Sequence, residues 1–173
     1  MKILLIATIL AAALWAAEPQ GSDPEMKLQR HVRHELVMLP YYGVFDDLSF
    51  SIQGRTVTLM GKVARPSLKS DAERAAKEVA GVESVINQIQ VLPTSPNDDR
   101  IRIATYRAIY GDNVLYRYGM QAVPPIHIIV ENGNVTLVGV VSNETDKNVA
   151  GIRASGVSGA FKVDNELRVE SSK

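Results

Sequence analysis

Four tyrosines and three arginines crowd one stretch of this chain: Tyr106, Tyr110, Tyr116 and Tyr118 interleave with Arg102, Arg107 and Arg117. A tyrosine ring is apolar with a polar tip, and a guanidinium forks onto phosphate oxygens, so the mixture suits a lipid headgroup layer. It suits a protein surface equally, because Tyr and Arg are favoured anchors at interfaces. Rings that roof a core or an interdomain contact would look the same. Arg107, Tyr110, Tyr116, Arg117 and Tyr118 are therefore candidate contacts for a lipid or a protein partner, with the purely structural reading still open. Charge restrains the lipid reading. Residues 22–97 carry nine Lys/Arg and nine Asp/Glu, and residues 98–173 carry the same numbers. A polybasic surface gains roughly 1 kcal/mol per basic residue near an anionic membrane, and neither half has a net surplus to spend that way. Nor does either show the basic excess of a nucleic-acid binder.

The remaining chemistry-bearing residues are sparse. His31 and His34 share a helix face and, with Glu35 or the distant His127, are the nearest approach to a metal-ligand set, but no ligand spacing completes it. Exposed histidines are the expectation. Asp46-Asp47 and Asp98-Asp99 are the paired acids, and neither pair comes with a nucleophile or a partner base. No phosphate-cradling loop, nucleophile elbow or zinc-protease sequence is present. With no cysteine, thiolate chemistry, disulfides and a lipidated cysteine are all excluded. The expectation is a protein that is not an enzyme and takes no cofactor, metal or nucleic acid.

The elements that must position these residues come in two copies. Residues 54–61 and 132–139 are versions of one hairpin, and the 78-residue offset between them holds without a gap over about forty positions. In the first copy Leu28, Val32 and Leu36 form a helical stripe, opened near Ser22 to Pro24 and ended by Pro40. Leu48, Phe50 and Ile52 alternate with polar residues, Gly54 turns the chain, and Val57, Leu59 and Val63 return. A second helix opens at Pro66 with Leu68, Ala72, Ala75, Ala76 and Val79 inward, and Gly81 closes it. A last strand carries Val82, Val85, Ile89 and Val91.

Residues 93–97 form a stiff Pro-rich linker, and Asp98 or Asp99 caps the next helix. The second copy then repeats the pattern through Ile101, Thr105 and Ile109, strand residues Ile126, Ile128 and Val130, and an Asn132-Gly133 type I′ turn. Its later helix is weaker, with Gly151 and Gly156 inside and Asp146 where the first copy has Leu68; it either fits a close neighbour or frays. It also gains five residues within 116–125. Gly54, Gly61, Gly133 and Gly139 are structural, the first and third at hairpin turns, the others relieving a clash where a helix crosses the sheet. The fold class is α+β: two domains, each α-β-β-α-β, with a three-stranded mixed sheet and two helices on one face. The domains run over residues 22–92 and 98–170.

Residues 1–17 read as a cleavable secretory signal peptide: Lys2, then an apolar run too short to span a bilayer, then Ala16-Ala17. Trp15 and Leu14 fit the cleavage pattern poorly, which leaves an uncleaved anchor as the lesser alternative. The hairpin Gly-x-Val-Thr-Leu-x-Gly (Gly133 to Gly139, and Arg55 to Gly61 with its first glycine shifted by one to Gly54), the later Gly81-Val82-Glu83-Ser84-Val85-Ile86-Asn87, and the helix end Ala108-Ile109-Tyr110-Gly111-Asp112-Asn113-Val114-Leu115 together resemble the BON domain, the bacterial OsmY and nodulation family. The second copy keeps Gly159, Val163 and Asn165 but has Ala160 for Val, and the helix end has degenerated in copy one. A signal peptide before two such domains resembles osmotically inducible periplasmic proteins. The resemblance implies a periplasmic, non-enzymatic binding module of the cell envelope, associated with phospholipid membranes and with envelope integrity or stress tolerance. A soluble periplasmic chaperone or protein–protein adaptor is the alternative it leaves.

Overall fold

The computed structural model describes residues 23–170, so the signal-peptide expectation and the Ser22 cap lie outside the described residues. Each copy forms the expected unit. Domain 1 consists of α1 (Asp23–Val37), β1 (Asp47–Gln53), β2 (Thr56–Val63), α2 (Pro66–Glu78), β3 (Ser84–Asn87) and β4 (Gln90–Val91). Domain 2 consists of α3 (Pro96–Tyr110), a 3-10 turn (Tyr116–Met120), β5 (Ile126–Glu131), β6 (Asn134–Val141), α4 (Glu144–Ser155), β7 (Lys162–Asn165) and β8 (Arg168–Val169). The hairpin strands pair antiparallel, and the strand after the second helix joins β2 or β6 in parallel, as a crossover connection requires. Period-two alternation sends Val57, Leu59 and Val63 inward, where they meet Val32 and Leu36 of α1 and Leu68, Ala72 and Ala76 of α2. Burying each large aliphatic side chain is worth about 2 kcal/mol, and this small cluster is most of what holds domain 1 together.

The third strand is interrupted. Gln88-Ile89 separates β3 from β4, and Glu166-Leu167 separates β7 from β8, although all four pieces pair with the central strand. The asparagine ending β3 bridges the break: Asn87 accepts from Ile89 N–H (3.1 Å) and donates to the Lys69 carbonyl of α2 (2.9 Å). Asn165 repeats this with Leu167 (3.3 Å) and the Lys147 carbonyl of α4 (2.7 Å). Each asparagine thus ties a helix to the sheet and lets Ile89 or Leu167 turn into the core.

Gly61 and Gly139 are structural for a reason other than the one expected. Their φ angles are +115° and +127°, and an added Cβ would lie 2.2 Å from the Asp47 carbonyl oxygen or 1.9 Å from that of Pro125. The obstacle is the neighbouring strand, not a crossing helix. Asn132 and Gly133, both at positive φ (53° and 77°), form the expected type I′ turn.

Two helix expectations also change. Ser95, not Asp98 or Asp99, caps α3: its hydroxyl accepts from Asp98 N–H (3.2 Å), and Pro96 already lies in the first turn. α4 is intact, because Gly156 stands at its C-cap and Gly151 makes room for Asn165, whose Nδ2 would be 2.8 Å from an added Cβ. The close neighbour is the explanation, and the helix does not fray.

The loop after α1 docks the domains. Asp46 shapes it by accepting from Gly43 N–H (3.2 Å) and Ala64 N–H (2.8 Å). Val44 and Phe45 pack onto the core of domain 2, and the Val44 carbonyl accepts from Ile128 N–H on the outer edge of β5 (2.7 Å). His127 stacks on Tyr42 with ring centroids 5.5 Å apart and sets Nδ1 3.2 Å from the Gly43 carbonyl oxygen. Lys62 of β2 reaches Glu131 of β5 at 2.5 Å. Residues 41–46, which join α1 to β1, are thus an interdomain plug.

Candidate functional site

The tyrosine- and arginine-rich stretch begins on α3 and continues through the inserted residues. Leu115, fully buried, anchors the segment from below. The Asp112 carboxylate holds the corner: it accepts from Val114 N–H (2.7 Å) and from Arg153 of α4 (2.7 Å). The Val114 bond first, and the Arg153 contact with it, keep that carboxyl below the usual range. Tyr116 N–H then bonds the Asp112 carbonyl (2.9 Å) and Tyr118 N–H the Leu115 carbonyl (3.0 Å), winding the 3-10 turn.

The insertion has a structural partner. Asp146 occupies the inward position that Leu68 fills in domain 1, and it is 1% exposed. A carboxylate there needs donors. Tyr118 OH supplies one (2.5 Å), Asn143 Nδ2 another (3.1 Å) and the Arg117 guanidinium a third. The same tyrosine oxygen accepts from Ser142 N–H (2.8 Å), and Arg117 lies over the Tyr118 ring, 4.9 Å from its centroid. The Leu-to-Asp exchange and the five extra residues are therefore one change, seen twice in the sequence.

The five candidate contacts divide accordingly. Tyr110 is buried and donates to the Ile126 carbonyl (2.6 Å), and burial pushes its hydroxyl well above the ordinary phenol value. Tyr118 is buried in the Asp146 cluster. Neither presents a ring to a partner, which corrects the expectation for both: with the core on one side and hydrogen bonds fixing the hydroxyls, they position the surface instead of forming it. Arg107 and Tyr116 are exposed, and Arg117 is half-exposed while paired to Asp146. Met120, 79% exposed on the same turn as Tyr116, was missed; a lone methionine leaves no periodic signal in a loop. Tyr106 of α3 is partly covered by Phe45 of the plug.

The other singled-out residues have structural places. Asp98 is buried and accepts from Asn132 N–H (3.0 Å) and Gly133 N–H (2.8 Å), clamping the second hairpin turn to α3. Buried Arg102 donates to the Val130 carbonyl (2.7 Å) and pairs with Asp99. His31 and His34 are exposed on α1, whereas His127 is in the interdomain contact. Among the described residues, no group of three His, Asp or Glu side chains is placed to hold a metal. None of the described helices is long and apolar enough to cross a membrane.

Comparison with known proteins adds the following. The family model described as "BON domain" matches residues 27–93 and 115–171. The outer membrane lipoprotein DolP of Haemophilus influenzae is 32% identical over 113 residues, which cover 65% of this chain and 57% of that protein; the match spans little more than half of the relative's length. Among solved structures, CdsD, a structural protein of the type III secretion system of Chlamydia trachomatis, is 11% identical over 85% of this chain and 94% of that one, with a TM-score of 0.35. A structure of the CdsD C-terminal domain gives 12% identity, 84% and 98% coverage, and a TM-score of 0.30. These two scores are too low to carry an argument about fold or function.

Proposed function

Because this protein belongs to the BON-domain family, with one domain in each half of the chain, we propose that it is a non-enzymatic module of the cell envelope that associates with anionic phospholipid surfaces through domain 2. The observation that carries the reading is the 3-10 turn of the insertion, which holds Tyr116 (58% exposed) and Met120 (79% exposed) outward while Leu115 and Tyr118 pin it from beneath. A rigid exposed Tyr–Met pair places one amphipathic ring at headgroup level and one flexible apolar chain deeper. Arg107, exposed on α3, is the guanidinium offered to phosphate, with the half-exposed Arg117 of the turn beside it while paired to Asp146. The outer-membrane name of the Haemophilus relative supports an envelope location, with the chain exported to the periplasm.

Flotation with liposomes tests this. The protein is expected to float with anionic but not neutral vesicles at low salt and to lose most of that binding at high salt, because two arginines on a neutral domain make a weak, screened attraction. Tyr116→Ser with Met120→Ser should abolish flotation and leave the melting temperature unchanged. Equal flotation on neutral vesicles, or none on either, overturns the reading; the second result would turn the same exposed pair into the anchor of a protein-binding adaptor.

A further inference from the structure

The duplication gives each domain a groove between its first helix and the outer edge of its first strand. In domain 2 that groove is filled from within the chain. The Val44 carbonyl takes the Ile128 N–H of β5, and Phe45 sets its ring edge-on against Tyr106 (centroids 6.2 Å apart), which leans on Tyr110 (4.9 Å). Equivalent positions in domain 1 are Arg33 for Tyr106, Val37 for Tyr110, Gln29 for Arg102 and Phe50 for Ile128. These four residues line an open groove of about 460 Å3.

The edge of β1 is suited to being paired. In a strand, alternate residues point their N–H and C=O groups to the same side. Ile128 donates outward, so its counterpart Phe50 does too, together with Leu48 and Ile52. The Leu48 N–H already faces the Tyr42 hydroxyl. Among the described residues nothing takes the N–H groups of Phe50 and Ile52 on that side. In domain 2 the Arg102 guanidinium takes the Val130 carbonyl at the matching place, whereas α1 offers the shorter Gln29 beside Ile52. An unpaired edge beside a groove that mixes apolar walls (Val37, Phe50) with polar ones (Gln29, Arg33) is a template for an added strand.

Charge and precedent say what fills it. The groove is lined by Arg33 and by Arg168 of domain 2, and among the described residues no acidic one lines it. The segment that fills the sister groove is a turn that presents Val44 and Phe45 and is followed by Asp46 and Asp47. We propose that the α1/β1 groove of domain 1 is a strand-addition site for an extended segment of a partner polypeptide that carries an apolar or aromatic residue next to an acidic one. The partner's main chain pairs with Phe50 and Ile52, its apolar side chain lies against Leu36 and Val37, and its carboxylate meets Arg33 or Arg168.

The probe is a synthetic peptide with the sequence of residues 41–47, Tyr-Tyr-Gly-Val-Phe-Asp-Asp, added to the intact protein. Binding is followed by fluorescence anisotropy and by amide hydrogen exchange. Saturable binding that slows exchange at Phe50 and Ile52 is expected. Arg33→Glu, on the exposed face of α1, should weaken it about fivefold, near the upper end of what one exposed ion pair is worth, without changing the melting temperature. Val37→Lys should weaken it further by removing the apolar wall. No saturable binding overturns the proposal. So does protection appearing on β5 instead of β1, affinity indifferent to Arg33→Glu, or Phe50 and Ile52 amides already protected before any peptide is added. Protection of those amides by anionic vesicles alone would assign the groove to lipid and overturn it as well.

Discussion

Tyr118→Phe removes one oxygen atom and tests whether the insertion exists to serve Asp146. That oxygen donates to the buried Asp146 carboxylate at 2.5 Å and accepts from Ser142 N–H at 2.8 Å. A hydrogen bond to a charged buried group is worth about 1.5–3 kcal/mol, and Asp146 is too enclosed for water to replace it. Ser142 is exposed and its N–H can be solvated, so it adds little. The expected loss is about 2–3 kcal/mol, which for a domain of this size lowers the melting temperature by roughly 10–20 °C. Urea and thermal unfolding followed by circular dichroism measure it, with Tyr116→Phe as a control expected to stay within about 0.5 kcal/mol. Asp146→Leu restores the residue type of domain 1 at this helix position and should itself destabilise by leaving the Tyr118 hydroxyl buried without its acceptor. In the double variant the two costs should be less than additive by about 1 kcal/mol or more, because each removes the other's orphan. A loss below about 0.5 kcal/mol for Tyr118→Phe, or strict additivity in the cycle, would refute the coupling and return Tyr118 to the list of partner contacts.

Two further outcomes follow from the docking loop and the hairpins. His127 is held below its ordinary pKa by burial, which outweighs its hydrogen bonds to the loop and the nearby Asp47 and Asp46 carboxylates. The unfolded chain therefore takes up a proton near pH 6.5 that the folded chain refuses, so stability is complete above that pH and falls as pH drops through and below it. Asp46 and Asp47, raised by burial, act with the opposite sign in a more acidic window. Unfolding at pH 7.5 and 5.5 should show a loss in the parent that His127→Gln abolishes; an unchanged slope would contradict the buried neutral ring. Gly139→Ala should cost about 3 kcal/mol or more, because the backbone conformation is strained for alanine and the Pro125 carbonyl blocks the methyl group. Gly54→Ala, also at positive φ but with nothing within 4 Å, should cost only about 1 kcal/mol. Equal costs at the two positions would show that strand proximity is irrelevant.

The repeat, the element order, the inward stripes and the hairpin turns could all be read from local patterns, because period and turn chemistry depend on residues close in sequence. The motif residues Gly61, Gly139, Asn87 and Asn165 stood out as repeated, yet their reasons did not. A carbonyl on the next strand and a helix carbonyl eighteen residues away are tertiary neighbours. The candidate surface divides the same way. Its composition was visible, and so were the five added residues and the lone Asp146 at an inward position. That Tyr110 and Tyr118 turn inward while Tyr116 and Met120 turn out depends on which hydroxyl finds a buried acceptor, and rings of the same kind in one loop carry no local mark of it. Residues 41–46 are the extreme case. Nothing in their spacing distinguishes a surface loop from a plug, because the Ile128 N–H and the Tyr106 ring that give Val44 and Phe45 their place lie in the other copy of the domain. Sequence determined what each half is, since that rests on short-range periodicity written twice; only the tertiary structure decided how the halves differ, since burial and edge pairing are set by residues far apart in the chain.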